Sequence, residues 1–389
     1  MPTIRRDLHL SKAQVGNIII ASVSSTIFAR LVIGRLCDRW GPRKSAVRLL
    51  LAGSLPVFLV GLAKDYTSFL LFRLAIGVIG ASFVITQFHT SIMFAARIKG
   101  TANAITGGWG NLGGGVTNMV MPLIFSAIVG FGYTPQAAWR YAMILPGVMM
   151  LVVAWLYYRY TQDTPAGNFD EGAGPAASVR RKTGWSALGD WRVWVLALAY
   201  ACCFGMEITF DNVASLHFVD SFKLSQSSAG FWAGVFGFMN IFARALGGIV
   251  SDKVGARWGM RGKGLLLALV LLLEGAGLVA FAAAGSFAMA VVCMLTFALF
   301  LKMANGATYG IVPFVNERNV GLISGVVGAG GNLGGMLFGF LFKSDSITYV
   351  QAFTVIGIAV MTISVLVLAT RFRRSEEGAA EVLRETAFS

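Results

Sequence analysis

The stretch Phe28-Ala29-Arg30-Leu31-Val32-Ile33-Gly34-Arg35-Leu36-Cys37-Asp38-Arg39-Trp40-Gly41-Pro42-Arg43 decides how this chain is read, because most of it occurs twice. An offset of 214 residues gives Phe242-Ala243-Arg244-Ala245-Leu246-Gly247-Gly248-Ile249-Val250-Ser251-Asp252-Lys253-Val254-Gly255-Ala256-Arg257, in which Phe, Ala, Arg, Gly, Asp, Gly and Arg recur in step. The chain is a duplication. In each copy an arginine interrupts an apolar helical run eight residues before an aspartate. At about 1.5 Å of rise per residue that spacing sets Arg30 and Arg244 roughly 12 Å inside the helix mouth.

Composition says what surrounds those arginines. Of the 389 residues 56% are hydrophobic and only 13% charged, with a mean hydropathy of +0.70. Such a chain is a polytopic all-α membrane protein rather than a soluble one. A guanidinium near the middle of a hydrocarbon core about 30 Å thick is costly unless it faces a polar cavity, so both arginines are read as functional. The formal charge of +14 would suggest nucleic acid in a soluble chain. Here the basic residues gather in short loops, where they set membrane orientation, and no nucleic-acid partner is expected. Cys37, Cys202, Cys203 and Cys293 lie in or beside apolar runs without metal-ligand spacing and read as small core residues. No cofactor is implied.

Apolar runs long enough to span fall at roughly 13–36, 46–64, 68–94, 102–130, 139–159, 191–220, 227–250, 263–284, 286–311, 319–343 and 347–371, eleven in all. The one long polar connection, with Pro165, Gly167, Gly172, Gly174, Pro175 and the run Arg180-Arg181-Lys182, separates them. The expected organisation is an N-terminal bundle over 1–160, a linker over 161–190, a C-terminal bundle over 191–374 and a polar tail over 375–389. The basic segments 39–48, 180–182, 253–263 and 371–374 fall on one side if the spans alternate, which the positive-inside rule makes the cytoplasm. The first arginine motif lies on the first span of its half and the second on the second span of its own, so the front half reads as one helix short. The segment from Met1 to Val15 then corresponds to an external loop of a twelve-span parent.

A second repeat, offset by 221 residues, pairs Gly107-Gly108-Trp109-Gly110-Asn111-Leu112-Gly113-Gly114 with Gly328-Ala329-Gly330-Gly331-Asn332-Leu333-Gly334-Gly335. Residues 107, 110, 111 and 114 share one helical face by their spacing of three and four. Glycines there let a neighbouring helix or a small ligand approach. Asn111 and Asn332 either bond a neighbouring helix or face that ligand.

Two arginines and two asparagines, one of each per half, offer hydrogen-bond donors and positive charge. No metal-ligand cluster and no nucleophile with its base accompanies them, so an enzyme is not expected. Guanidinium, planar and always charged, suits a small planar oxyanion. A monoanion between two arginines leaves one positive charge, which a co-transported ion or a nearby carboxylate would balance. Glu207 and Asp211, one helical turn apart, and Glu274 are the available carboxylates. Arg73 is either a proton-relay neighbour or a cation snorkelling to a helix end. Tyr200, Phe204 and Phe83 either wall the cavity or fill core space. His89 and His217 read as isolated packing residues.

The residues match a known family. Gly34-Arg35-Leu36-Cys37-Asp38-Arg39-Trp40-Gly41-Pro42-Arg43-Lys44 resembles the loop signature of the major facilitator superfamily, with a degenerate copy from Gly248 to Arg257. The paired glycine–asparagine runs resemble the signatures of its nitrate/nitrite porter family. The runs Phe204-Gly205-Met206-Glu207-Ile208-Thr209 with Asn212, and Gln87-Phe88-His89-Thr90-Ser91-Ile92-Met93-Phe94, resemble its high-affinity branch. The resemblance implies a fold of two pseudo-symmetric bundles, eleven spans here against twelve in the family. It implies alternating access in the plasma membrane with a cytoplasmic C-terminus, and symport of nitrate or nitrite with a proton. It also implies a small accessory membrane subunit as in some relatives, and a nitrate clamp carried onto Arg30 and Arg244. The signature asparagines carry over onto Asn111 and Asn332, and the cavity aromatics onto Phe83, Tyr200 and Phe204. Gly34, Asp38, Gly41, Arg43, Asp252 and Arg257 would latch the helices at the cytoplasmic side. A non-transporting nitrate sensor or an inactive truncated fragment is the alternative. Another small anion such as chlorate, cyanate or a short carboxylate is the competing cargo.

Overall fold

The computed structural model describes residues 2–169, 185–343 and 346–373. The linker run 180–182 and the tail 375–389 lie outside the described residues. Helices occupy nearly all the rest: α1 (Pro2–Asp7), α2 (Lys12–Trp40), α3 (Pro42–Leu59), α4 (Tyr66–Gly77), α5 (Ser82–Met93), α6 (Lys99–Gly130), α7 (Pro135–Ala142) and α8 (Ile144–Tyr160). After the linker come α9 (Trp191–Phe222), α10 (Gln226–Phe238), α11 (Ala243–Ala282), α12 (Phe287–Tyr309), α13 (Val312–Val315), α14 (Val320–Lys343) and α15 (Tyr349–Ala369). Apolar side chains pack as one large cluster drawn from residues 193–372 and two smaller ones drawn mainly from 4–157.

Nine stretches among the described residues are long and apolar enough to cross a membrane, against the eleven expected. The expected spans 227–250 and 263–284 fall in the single stretch Ser228–Ala282. The basic segment between them is helical, and the turn is reduced to a kink at Gly259, whose φ of 60° suits glycine alone. The expected span 102–130 lies within α6, helical throughout, but its glycine-rich half lowers hydropathy and only Val120–Gly130 registers as apolar. The segment expected to be an external loop carries α1, and buried Leu8 and Leu10 anchor it. Asp7 pairs with Arg140 at 2.8 Å and accepts from the Trp139 indole at 2.9 Å.

Two departures from regular helix position the site. Between α4 and α5 the chain tightens into a 3-10 turn, Val78–Ala81, and the Gly80 carbonyl accepts from Arg30 Nε at 3.3 Å. A second 3-10 turn, Met239–Ile241, sits just before α11 and turns Asn240 inward. Such turns shift carbonyls and side chains off the α-helical ladder, so they can serve other partners.

The two repeated motifs contact each other crosswise. Asp38, at the end of α2, accepts from the backbone N–H of Gly321 at 2.9 Å and of Leu322 at 2.8 Å, in the first turn of α14. Asp252 accepts from Gly100 N at 3.2 Å and Thr101 N at 2.6 Å, in the first turn of α6. Each carboxylate thus satisfies orphan donors and faces the positive end of a helix dipole. Glycines make this approach possible: a Cβ on Gly34 would collide with the Gly321 carbonyl, and one on Gly248 would stand 2.5 Å from the Gly100 carbonyl oxygen. Gly41, with φ at 82°, makes the one-residue turn from α2 to α3, and Asp163 accepts from the next-but-one N–H, that of Arg43, at 2.9 Å.

Two expected outcomes follow from this packing. Gly334→Ala drives a methyl into the Ala201 backbone and is expected to cost about 1–3 kcal/mol, read as a lower melting temperature in detergent. Gly110→Ala, which meets nothing within 4 Å, leaves that temperature unchanged. Removing the charge of either cap, Asp38→Asn or Asp252→Asn, is expected to loosen the partner helix by about 1–3 kcal/mol. Hydrogen–deuterium exchange then speeds up at Gly321 and Leu322, or at Gly100 and Thr101, by roughly tenfold per 1.4 kcal/mol.

Candidate functional site

Arg30, on α2, is 5% exposed and Arg244, on α11, is fully buried. Both guanidinium groups lie over the same phenyl ring. The Arg30 carbon is 5.1 Å from the centroid of Phe83 and the Arg244 carbon 5.6 Å from it. Arg30 also stands 5.7 Å from the ring of Phe204. Phe83, Tyr200 and Phe204 stack near-parallel, with interplanar angles of 18° and 16° from Phe83 and 5° between the other two. Tyr309, from α12, closes the group edge-on against Phe83 and Tyr200. The ring faces supply negative quadrupole to both cations without a hydrogen-bond acceptor.

The two arginines differ in what holds them. Arg30 donates to the carbonyls of Gly80 and, through Nη1 at 2.5 Å, of Gly328. Arg244 donates through Nη2 to the Tyr200 hydroxyl at 3.0 Å, while its Nε and Nη1 have no hydrogen-bond partner. The second repeat packs on them crosswise. A Cβ on Gly328 would stand 3.4 Å from Arg30 Cδ, and one on Gly107 would stand 3.0 Å from Arg244 Nε. Gly331 likewise leaves room for the rings of Tyr200 and Phe204.

The signature asparagines are placed unequally. Asn332, buried one turn beyond Gly328, has an Nδ2 without a partner. Asn111 reaches Glu207 Oε1 at 3.5 Å. Glu207 is the hub of a polar cluster beside Arg244: it accepts from Asn240 and Asn305, each at 2.6 Å, and pairs with Lys302 at 3.1 Å. Arg244 is close enough for its charge to act on this carboxylate. Asp211, one turn along α9, is exposed.

Other expected residues lie away from the chamber. Arg73 is half-buried on α4, with its Nε unpartnered and no bond to the ring group. Arg43 donates to the Tyr158 carbonyl and sits over the Tyr158 ring at 4.3 Å. Asp252 also pairs with Lys263 at 2.7 Å, and Arg257 is exposed. His89 bonds the Tyr157 hydroxyl and the Gln162 carbonyl. His217 contacts Ser221 and a ring of aromatics. Sequence reading did not single out Lys302, Asn240, Asn305 and Tyr309. A lysine in the apolar run of α12 was the available signal for the first of them.

This arrangement is a compact positive cluster, packed on aromatic rings and carrying spare N–H donors. It suits a small monoanion with several acceptor oxygens.

Comparison with known proteins agrees with that fold. Residues 1–339 match the model of the Major Facilitator Superfamily. The chain is 38% identical to the high affinity nitrate transporter 2.5 of Arabidopsis thaliana, over 92% of this chain and 72% of that protein. It is 41% identical to the high-affinity nitrate transporter 2.3 of Oryza sativa, over 88% of this chain and 67% of that one. Among solved structures, the superfamily transporter FucP in the outward conformation superposes with a TM-score of 0.70 at 15% identity, covering 94% of this chain and 92% of that one. The chain belongs to the Major Facilitator Superfamily and, within it, to the nitrate/nitrite porter family of high-affinity nitrate transporters.

Proposed function

We propose that this chain moves nitrate, and nitrite on the same site, across the plasma membrane by alternating access. It is a multi-pass transporter and not an enzyme. The observation that carries the reading is the pair of buried guanidinium groups over one ring, with Arg244 Nε and Nη1 left without partners. Nitrate is planar, singly charged and has three acceptor oxygens, so it takes donors from Arg244 on one edge, beside the Phe83, Tyr200 and Phe204 rings. The free Asn332 amide gives it a further donor. Gly107 and Gly328 keep the approach open, because any side chain there would contact an arginine.

Alternating access requires two bodies that rock about the site. We take these as residues 1–160 and 191–374, eleven crossings arranged as two pseudo-symmetric bundles, joined by the linker 161–190 and ending in the tail 375–389. The basic segments then place the motif side and the C-terminus in the cytoplasm. Asp38 and Asp252 act as latches on that side, each gripping the first turn of a helix from the other bundle. Rocking that opens the cytoplasmic side has to break both.

Nitrate uptake into a cell with a negative interior is uphill by about 2.3 kcal/mol per charge per 100 mV. A proton carried along removes that penalty, and Glu207, Asp211 and Arg73 are ionisable groups near enough to the site or its helices to take part.

The test is counterflow of labelled nitrate in proteoliposomes of the purified chain. Arg30→Lys and Arg244→Lys each replace a forked donor with a point charge and are expected to lower counterflow at least about tenfold, the equivalent of 1.4 kcal/mol. Wild-type counterflow in both variants would remove the clamp. Competition by nitrite but not by chlorate, cyanate or acetate at the same concentration fixes the cargo.

A further inference from the structure

The interior of the second half holds a carboxyl that the anion chamber does not use. Glu274, on α11, is 0% exposed and neither of its carboxylate oxygens has a hydrogen-bond partner. An ionised carboxylate in that position would be desolvated without compensation, which is far costlier than holding a proton there. The charges that act on it are those of Glu207 from α9 and Lys302 from α12. The thiols of Cys202 and Cys203 on α9 also lie within reach of its charge. On its other side α15 packs through Gly357 and Met361 at Gly275 and brings no ionisable side chain there. In α6 the only ionisable side chain is Lys99, at its first residue.

Lys302 is itself 0% exposed. Its ammonium sits 3.1 Å from Glu207 Oε1 and 4.0 Å from the centroid of the Phe236 ring. Glu207 has two strong cationic neighbours, Lys302 and Arg244. Four groups therefore compete in series: Glu274 and Glu207 for Lys302, and Lys302 and Arg244 for Glu207.

Resting on the nitrate-transport reading above, we propose that Glu274 carries the coupling proton and that Lys302 and Glu207 relay its state to Arg244. With the proton on Glu274, Lys302 stays with Glu207, and Arg244 keeps its free donors for the anion. When Glu274 gives its proton to water on the release side, its carboxylate draws the Lys302 ammonium. Glu207 then turns to the free N–H donors of Arg244, the same donors the anion needs, and the anion leaves. Only the proton on the Glu274 oxygen is exchanged; Lys302 and both arginines remain charged throughout. Proton and anion therefore favour each other's binding by the same factor, as linkage requires. Asp211, exposed and within charge reach of Lys302 and Glu207, stands at the entry for that proton.

The experiment uses proteoliposomes with the membrane potential clamped at zero. With one proton per nitrate, a gradient of one pH unit, alkaline inside, accumulates labelled nitrate about tenfold. Glu274→Gln, a permanent stand-in for the protonated carboxyl, is expected to keep nitrate counterflow and lose the gradient-driven accumulation, which falls to onefold. Lys302→Met is expected to lose accumulation as well. Accumulation by Glu274→Gln equal to wild type overturns the proposal, as does its loss in Asp211→Asn but not in Glu274→Gln. Wild-type protein provides a second test that needs no variant to fold. Dicyclohexylcarbodiimide attacks protonated carboxyls in apolar surroundings, and mass spectrometry is expected to find it on Glu274, with labelling lost at alkaline pH. Labelling confined to Glu207 or Asp211 overturns the proposal. Failure of the transport reading is distinct from either result, because wild type would then show no nitrate counterflow at all.

Discussion

Two like charges buried against one phenyl ring are the constraint around which the rest of the molecule is arranged. Burying a single guanidinium in a low-dielectric interior costs several kcal/mol, and a second one nearby adds repulsion. The fold offsets part of this with ring faces on Phe83 and Phe204, worth about 0.5–2 kcal/mol each. It offsets more with carbonyls of a 3-10 turn and of a glycine-rich helix. What remains uncompensated is a net positive charge with unpartnered donors. An anion completes the site energetically, which is why a sequence that pays this cost twice is a sequence for binding one.

The two arginines divide the labour unequally. Arg30 is held by backbone carbonyls from two helices, acceptors that cannot titrate or swing away. Arg244 has one hydroxyl and a neighbouring carboxylate, both able to change partner. Arg30 is thus a fixed anchor and Arg244 the responsive half of the clamp. The asymmetry arises in α9, which brings Tyr200, Phe204 and Glu207 to the site on successive turns and sets the hydroxyl of the first and the carboxylate of the last beside Arg244.

How much of this was legible in the sequence depends on whether a residue announced itself locally. A charge in an apolar run is costly wherever it points, so Arg30 and Arg244 stood out, and the duplication doubled the signal. The glycine runs were equally plain, but which helix each would touch was not. The crosswise pairing of Gly107 with Arg244 and Gly328 with Arg30 is a property of how the chain folds back on itself, not of any window of it. The expected spans and the apolar helical stretches differ in number where one helix runs into the next across the kink at Gly259, and where glycines dilute the hydropathy of α6. Asn240 and Asn305 carried no sign of their role, because an amide inside a membrane helix is common enough to pass as packing until its partner, Glu207, is seen between them.

The choice of aromatic rings as the chamber wall explains selectivity as well as stability. A wall of carbonyls or carboxylates would satisfy the arginines fully and leave nothing for a ligand. Ring faces attract the cations yet accept no N–H, so the donors stay available. The near-parallel rings of Phe83, Tyr200 and Phe204 stack on one another, and the faces of Phe83 and Phe204 are turned to the guanidinium groups. Charge selects in the same direction: two arginines and Lys302 beside one ionised Glu207 leave the cluster positive, so an anion is what completes it. Rings that accept no N–H and cations that outnumber the carboxylate therefore converge on an anionic ligand from two independent features of the same few side chains.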